Sequence, residues 1–268
     1  MISRKYRMFK LFLYISVFSI LTPILILVVW SFVSRWHWPS LIPEGFSMRA
    51  VEELFGPHSR VMSVLFSSIG LSLVVAVLAA VVGTMTARAL VFYDFMGKKF
   101  LSFGSVLPII VPGTVFAMGI HVVFIRMGIA DSIIGVILVH IIYALPYTIN
   151  IMIDITSSLG DSLEVQAHVL GVAPRQAFSH VTFPLLLPGF MASISIGYII
   201  SFSQYFLTLM IGGGSVKTFA VMMVPFIQSG DRTISSAYAL LFVLSTLAVF
   251  VVIEACIKKF AFWHHKKE

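Results

Sequence analysis

The chain has one cysteine, Cys256, so no disulfide within it is possible and its fold has to be held by packing. Cys256 itself is read as a packed apolar residue of the last long hydrophobic segment. Charge is equally scarce. Asp, Glu, Lys and Arg together make up 11% of 268 residues, too few to clothe a soluble domain of that size. No G-x-x-x-x-G-K-S/T loop is present to cradle nucleotide phosphates, so this chain carries no ATP chemistry. His121 and His140 have no thiol or carboxylate at ligand spacing, and His264 and His265 are adjacent on a tail, which excludes a metal centre by pattern. No Ser, His and acid arrangement suggests nucleophilic catalysis, and no enzymatic activity or cofactor is expected of this chain. Internal repeats, low-complexity tracts and soluble-domain linkers are also missing.

What the chain has is long hydrophobic runs. Hydrophobic residues account for 59% and the mean hydropathy is +1.02. Six segments are long and apolar enough to cross a bilayer, which takes about 20 apolar residues: Leu11–Val33, Val61–Ala87, Leu101–Ile125, Ser132–Ile153, Gly189–Ile211 and Ser236–Ile257. The fold class is an all-α polytopic membrane protein, because helices satisfy their own backbone polar groups in lipid. We read residues 1–268 as one transmembrane domain.

The first segment follows Arg4, Lys5, Arg7 and Lys10, as a signal peptide would. Its length exceeds a signal core of about 7–15 residues and no small-x-small site precedes Trp30, so it is read as an uncleaved span. If the segments alternate sides, twelve of the 18 basic residues share the side of the N-terminus, among them Arg88, Lys98, Lys99, Arg175, Lys258 and Lys259. The other six are Arg35, Arg49, Arg60, Arg126, Lys217 and Arg232. This bias predicts that both termini are cytoplasmic. The net charge of +7 and pI of about 9.6 are explained by these flanks and do not point to nucleic acid. The longest outer loop, 34–60, holds Trp36, Trp38, Pro39, Pro43 and Pro57, and its tryptophans are expected at the membrane surface. A second outer stretch, 212–233, opens with three glycines and contains the apolar run 219–227. That run is too short to span and predicts a re-entrant or surface helix.

Between the fourth and fifth segments, residues 161–184 break the apolar pattern with a polar helical hairpin. Gly160 ends the preceding span, and Asp161 with Glu164 has the spacing of a capping box. Gly171 suits the left-handed turn that closes a helix, and Pro174 suits the first turn of the next one. Ala173 is a poor cap between them. Leu163, Val165, Leu170, Val172, Phe178 and Val181 are too many apolar residues for a free loop and too interrupted for a span, so they need a protein surface to bury against.

The order Gly171, nine residues, Val181, one residue, Phe183-Pro184 resembles the EAA signature of importer-type ATP-binding cassette permeases: E-A-A, three residues, Gly, nine residues, Ile or Val, one residue, Leu-Pro. Asp161, Leu163-Glu164, Pro174, Phe178, the run Pro184 to Pro188 and the region from Leu107-Pro108 to Pro146 are similar to that family as well. The E-A-A positions are Val165, Gln166 and Ala167 here, with Glu164 one place earlier, about 100° away on a helix. The resemblance implies a type I permease of six helices. Its hairpin, with Glu164, Val165, Gln166, Ala167, Gly171, Val181 and Pro184, would seat on a cytoplasmic ATPase. It also implies two such ATPases that use the ATP, a second permease chain (identical or different), an extracytoplasmic solute-binding protein and a place in a bacterial cytoplasmic membrane. An unattached amphipathic surface helix is the plain alternative for the hairpin.

Polar residues inside spans are costly unless they face a cavity or each other. His140, Tyr143, Tyr147, Asn150 and Asp154 recur at steps of three and four in the fourth segment, beside a kink expected at Pro146. Ser193, Gly197, Ser201, Gln204 and Thr208 do so in the fifth. These two faces either line a solute path or pack the helices together. Ala76, Ala79, Ala80 and Gly83 in the second segment read as packing. The runs Ser201–Tyr205 and Thr218–Pro225 resemble the polyamine, iron, thiamine and phosphonate branch of those permeases. Ser203 and Gln204 stand where polyamine permeases often carry acids, so a zwitterionic or anionic organic solute fits as well. The rival class is an ion-gradient-driven secondary transporter, which would show matched broken halves and paired intramembrane charges. A membrane scaffold protein is a third.

Overall fold

A computed structural model describes residues 2–34 and 45–265 of the chain, with side chains described over 6–34 and 45–256. Trp36, Trp38, Pro39 and Pro43 lie outside the described residues. The described chain is helical, with one isolated antiparallel bridge, Val33 to Phe46. Five of its helices are long and apolar enough to cross a membrane, or six if one bent pair counts as a single span.

The chain divides into two compact units, Met1–Ser63 with Met222–Leu247, and Val64–Val221 with Ala248–Glu268. In the first unit, α1 (Ile2–Ser31) is apolar from Leu11 onward, and most of the described side chains on it are exposed. A helix hydrophobic all round needs a membrane or a partner to cover it. The short helix α2 (Arg49–Phe55) lies in the outer loop. Its Arg49 Nη2 donates to Asp231 Oδ1 at 2.8 Å, and the same oxygen accepts from the Ile234 amide at 3.2 Å. Asp231 thereby caps α12 (Arg232–His265) while fixing the loop to it. The Thr233 hydroxyl donates to the Val33 carbonyl at 3.1 Å.

In the second unit, α3 (Val61–Phe92) supplies the small-residue stripe the sequence suggests. Ala76, Ala79 and Ala80 are fully buried. A Cβ on Gly83 would come within 2.6 Å of Thr148 Oγ1, and one on Gly197 within 3.1 Å of the Ala76 backbone. Small side chains here let α6 (Ile133–Leu159) and α9 (Phe183–Phe202) approach α3 closely. The helix α6 runs as one element through Pro146 and past Ile153 to Leu159.

Two expected spans are broken. The third, read as one segment, is a pair of helices, α4 (Lys98–Ile110) and α5 (Gly113–Arg126), bent by 116°. Pro112 removes an amide and pushes Val111 into extended geometry, with φ −80° and ψ 130°. The fifth starts earlier than Gly189 and ends sooner than Ile211. From Pro174 the chain is one 29-residue helix to Phe202, made of α8 (Pro174–Ala177), a π-helical turn (Phe178–Thr182) and α9. It stops at Ser203–Tyr205, and α10 (Phe206–Gly212) follows. The Ser203 hydroxyl donates back to the Ile199 carbonyl at 2.8 Å, a local bond that competes with helix continuation. The apolar run after the three glycines forms α11 (Phe219–Gln228), as its pattern predicts.

Candidate functional site

The hairpin consists of α7 (Ser162–Val169), a tight turn and the start of the long helix at Pro174. Gly160 ends α6 at φ +66°. The turn is a Schellman motif: the Gly171 amide donates to the His168 carbonyl at 2.9 Å and the Val172 amide to the Ala167 carbonyl at 3.0 Å. Gly171 sits at φ +84°, where a side chain would be strained. Pro174 takes the first helical position after an extended, uncapped Ala173.

The capping box expected of Asp161 and Glu164 does not form, since Asp161 makes no side-chain cap. Glu164 is engaged elsewhere. Arg88 Nη2, from the end of α3, donates to both of its carboxylate oxygens at 3.0 and 3.2 Å, and the Thr182 hydroxyl donates to Oε2 at 2.8 Å. The Arg88 guanidinium also lies 5.3 Å from the Phe92 ring and 4.9 Å from the Phe178 ring. This latch ties α3, α7 and the π-helical turn together. Partial burial works to raise the Glu164 pKa, but the Thr182 and Arg88 hydrogen bonds, with the charges of Arg88 and His168, outweigh it. The carboxyl is held below its ordinary value. Both side chains remain about one-sixth exposed, so the pair is neither fully dry nor fully screened.

With Glu164 turned inward and Ala167 buried, the hairpin exposes several apolar side chains among the polar Gln166 and His168. Val165 is half exposed, and Val169 and Leu170 at the turn are 82% and 83% exposed. Gln166 and Gly171 are exposed beside them, whereas Val181 and Pro184 are partly buried on the return helix.

Deeper in the unit, His140 is fully buried. Its Nδ1 lies 2.9 Å from Ser201 Oγ and its Nε2 3.0 Å from Thr208 Oγ1. Because the Thr208 hydroxyl donates to the Gln204 carbonyl at 2.8 Å, it accepts from Nε2–H, and Nδ1 competes with Ser72 Oγ for the single Ser201 hydroxyl proton. Ser72 on α3 closes the set at 3.3 Å from Ser201 Oγ. One imidazole thus joins α6 to both pieces of the broken fifth span. Ser193 and Gly197 are also buried on α9.

Next to this joint the two helix breaks meet. A cavity of about 280 Å³ is lined by Gly113, Thr114, Tyr143, Gln204, Phe206 and Leu207, and Tyr143 faces the Phe116 ring at 6.0 Å. No charged side chain lines it. Tyr147, Asn150 and Asp154 lie further along α6, exposed and outside both the joint and the cavity. Arg88, Thr182 and Ser72 belong to no local motif. The available signal is a lone cation near the end of an apolar helix and hydroxyls on faces that otherwise look like packing. No group of three metal-ligating side chains occurs among the described residues.

The family model described as "Binding-protein-dependent transport system inner membrane component" matches residues 79–261. The chain is 24% identical over 248 residues to the spermidine/putrescine transport system permease protein PotC of Haemophilus influenzae, covering 92% of this chain and 95% of that one. It is 31% identical over 147 residues to the trehalose transport system permease protein SugB of Mycobacterium tuberculosis, covering 55% and 54%. Its fold is similar to a chain in the crystal structure of a bacterial ABC transporter involved in import of the acidic polysaccharide alginate. The TM-score is 0.71 at 16% identity, over 94% of this chain and 96% of that one.

Proposed function

This chain belongs to the family of binding-protein-dependent transport system inner membrane components, the permease subunits of ATP-binding cassette importers, and we propose that residues 161–184 are the element through which it is driven. The observation that carries this reading is the hairpin itself. It presents Val165, Val169 and Leu170 outward on a stem held by the Arg88–Glu164–Thr182 latch. Apolar side chains exposed to that degree on a braced stem suit a groove on a folded partner. A cytoplasmic ATPase that closes on ATP would displace this stem. Since Pro174–Phe202 is one continuous helix, the displacement would pass directly into the fifth span and the joint at His140.

On this reading the whole chain acts as a single permease domain and forms half of a translocation pathway. The partners are two ATPases, a second permease and an extracytoplasmic binding protein, with both termini cytoplasmic. The solute is a small organic molecule of the polyamine-, phosphonate- or thiamine-like classes. The uncharged lining of the Tyr143–Gln204 cavity counts against a polycation, which needs carboxylates to replace its lost water. A secondary transporter is less well supported. The ion pairs among the described residues, Arg49–Asp231, Arg88–Glu164 and Lys98–Asp94, sit at helix ends or in loops, outside the middle of the spans.

The test is affinity purification of the chain from its native membrane with mass spectrometry of what remains bound. The reading expects a stoichiometric ATPase, together with a second permease or a second copy of this chain. Purification without any ATPase would return the chain to the ion-gradient class.

A further inference from the structure

The end of α3, the first helix of the bent pair and α6 enclose a groove that the transport reading does not use. Its volume is about 810 Å³. The walls are apolar, formed by Leu90, Phe103, Val106 and Ile110 among others, and the polar residues cluster where Lys98, Lys99 and Ser102 begin α4. Asp94 is six residues beyond Arg88, so this polar end lies on the hairpin's side of the unit. From Lys98 to Ile110 a helix rises about 18 Å. That is close to the depth of one leaflet, about half of a roughly 30 Å hydrocarbon core. The groove is therefore polar at the start of α4 and apolar along the rest of that helix, up to the break where the chain bends by 116°.

The charge at the mouth selects the occupant. Lys98 Nζ donates to Asp94 Oδ1 at 2.9 Å, and Asp94 is almost wholly exposed. Lys99 is exposed and makes no ion pair among the described residues. One cation is thus left over, beside the Ser102 hydroxyl, at the mouth of an apolar groove. We propose that this groove is a binding site for one anionic phospholipid of the hairpin-side leaflet, with its phosphate held by Lys98, Lys99 and Ser102 and an acyl chain lying along Phe103, Val106 and Ile110. A lipid so placed packs against α4 immediately before the Val111-Pro112 bend. It would brace the angle that brings Gly113 and Thr114 to the Tyr143–Gln204 cavity.

The leaflet assignment rests on the reading of the hairpin as cytoplasmic; the presence of a bound lipid does not. The experiment reconstitutes the purified transporter in phosphatidylcholine vesicles doped with phosphatidylglycerol, re-extracts it in mild detergent and measures the lipids retained per chain. Wild type is expected to retain about one phosphatidylglycerol in preference to phosphatidylcholine. Removing both charges in K98Q/K99Q should weaken that preference about thirty-fold, from the usual contribution of a lysine at an anionic surface. Val106→Trp, which keeps the lysines and fills the apolar groove, should lower retention of either lipid. Equal retention of the two lipids by wild type, or an unchanged preference in K98Q/K99Q, would overturn the proposal. So would a photo-cross-linker at Phe103 that captures a protein chain in place of lipid. A preparation without any ATPase that still shows the lysine-dependent preference would count against the transport reading alone. One that keeps its ATPase without the preference would count against the lipid site alone.

Discussion

The latch at Arg88–Glu164–Thr182 ties three helical elements and the joint at Ser72–Ser201–His140–Thr208 ties four, with opposite chemistry. The latch is a charged pair at the end of the spans, about one-sixth open to solvent and flanked by two aromatic rings. The joint is neutral and dry, built from one imidazole and three hydroxyls. The difference follows from where water is. Near the membrane surface a carboxylate and a guanidinium keep part of their hydration, so pairing them there costs little. In the bundle interior the same charges would meet a large desolvation penalty, and neutral donors and acceptors do the tying. The two ties also serve different ends. The joint sets how the helices pack, whereas the latch sets how a surface hairpin is aimed.

The comparison breaks most sharply at His140. His140→Ala would take one partner each from the Ser201 and Thr208 hydroxyls, which keep Ser72 and the Gln204 carbonyl, and would leave a cavity, at a cost of about 2–5 kcal/mol for a large buried side chain cut to Ala. A marked drop in the melting temperature of the purified protein is expected, and an unchanged melting curve would show that the joint holds nothing. Arg88→Ala is next. It should leave melting nearly intact but reduce uptake about ten-fold while ATP hydrolysis continues, since roughly 1.4 kcal/mol of lost hairpin placement is enough for that. An Arg88/Glu164 double-mutant cycle should give a coupling of about 1 kcal/mol or more, and additive effects would mean the two residues act separately. Gly171→Val forces a β-branched residue to φ +84°, at about 1–2 kcal/mol. It should uncouple hydrolysis from uptake without preventing membrane insertion, and normal uptake would contradict the role given to the turn.

Acid acts on the latch through Glu164. The folded Glu164 pKa is lowered, so the stability it adds is fully present above the ordinary glutamate range and is lost as pH falls through the folded value. Hydrogen-exchange protection over 162–170, after division by the intrinsic pH-dependent amide rate, should therefore fall under acid in wild type and stay flat with pH in Glu164→Gln. The smallest effects are expected for Gln204→Ala and Tyr143→Phe, at residues that line the cavity, which should shift solute affinity a few-fold while leaving basal ATPase activity unchanged. Wild-type transport by both would remove them from the path.

Much of this was legible in the sequence, and the rest was hidden for identifiable reasons. Apolar length located the spans, because hydrophobicity is a local property. It did not separate a straight span from α4 and α5, since both halves are equally apolar and only Val111-Pro112 marks the bend. At 203–205 even that punctuation is missing, so no local signal marks the break. The hairpin's turn could be read from Gly171 and Pro174, whose backbone geometry is local. The capping box failed because Arg88, 76 residues away in the chain, competes for the same carboxylate. Spacing of three and four put His140 and Ser201 on helix faces, but which faces met depended on Ala76 and Gly83 letting the helices close. The Tyr143–Gln204 cavity was the least legible, because it exists only where two helix breaks coincide.

The most direct test of the central claim is a photo-cross-linker placed at Leu170 in the native membrane, irradiated with and without ATP. The account predicts one dominant adduct, with an ATPase subunit, whose yield changes with nucleotide. Adducts confined to lipid, or an ATPase adduct no stronger than one from an exposed site elsewhere on the chain, would contradict it.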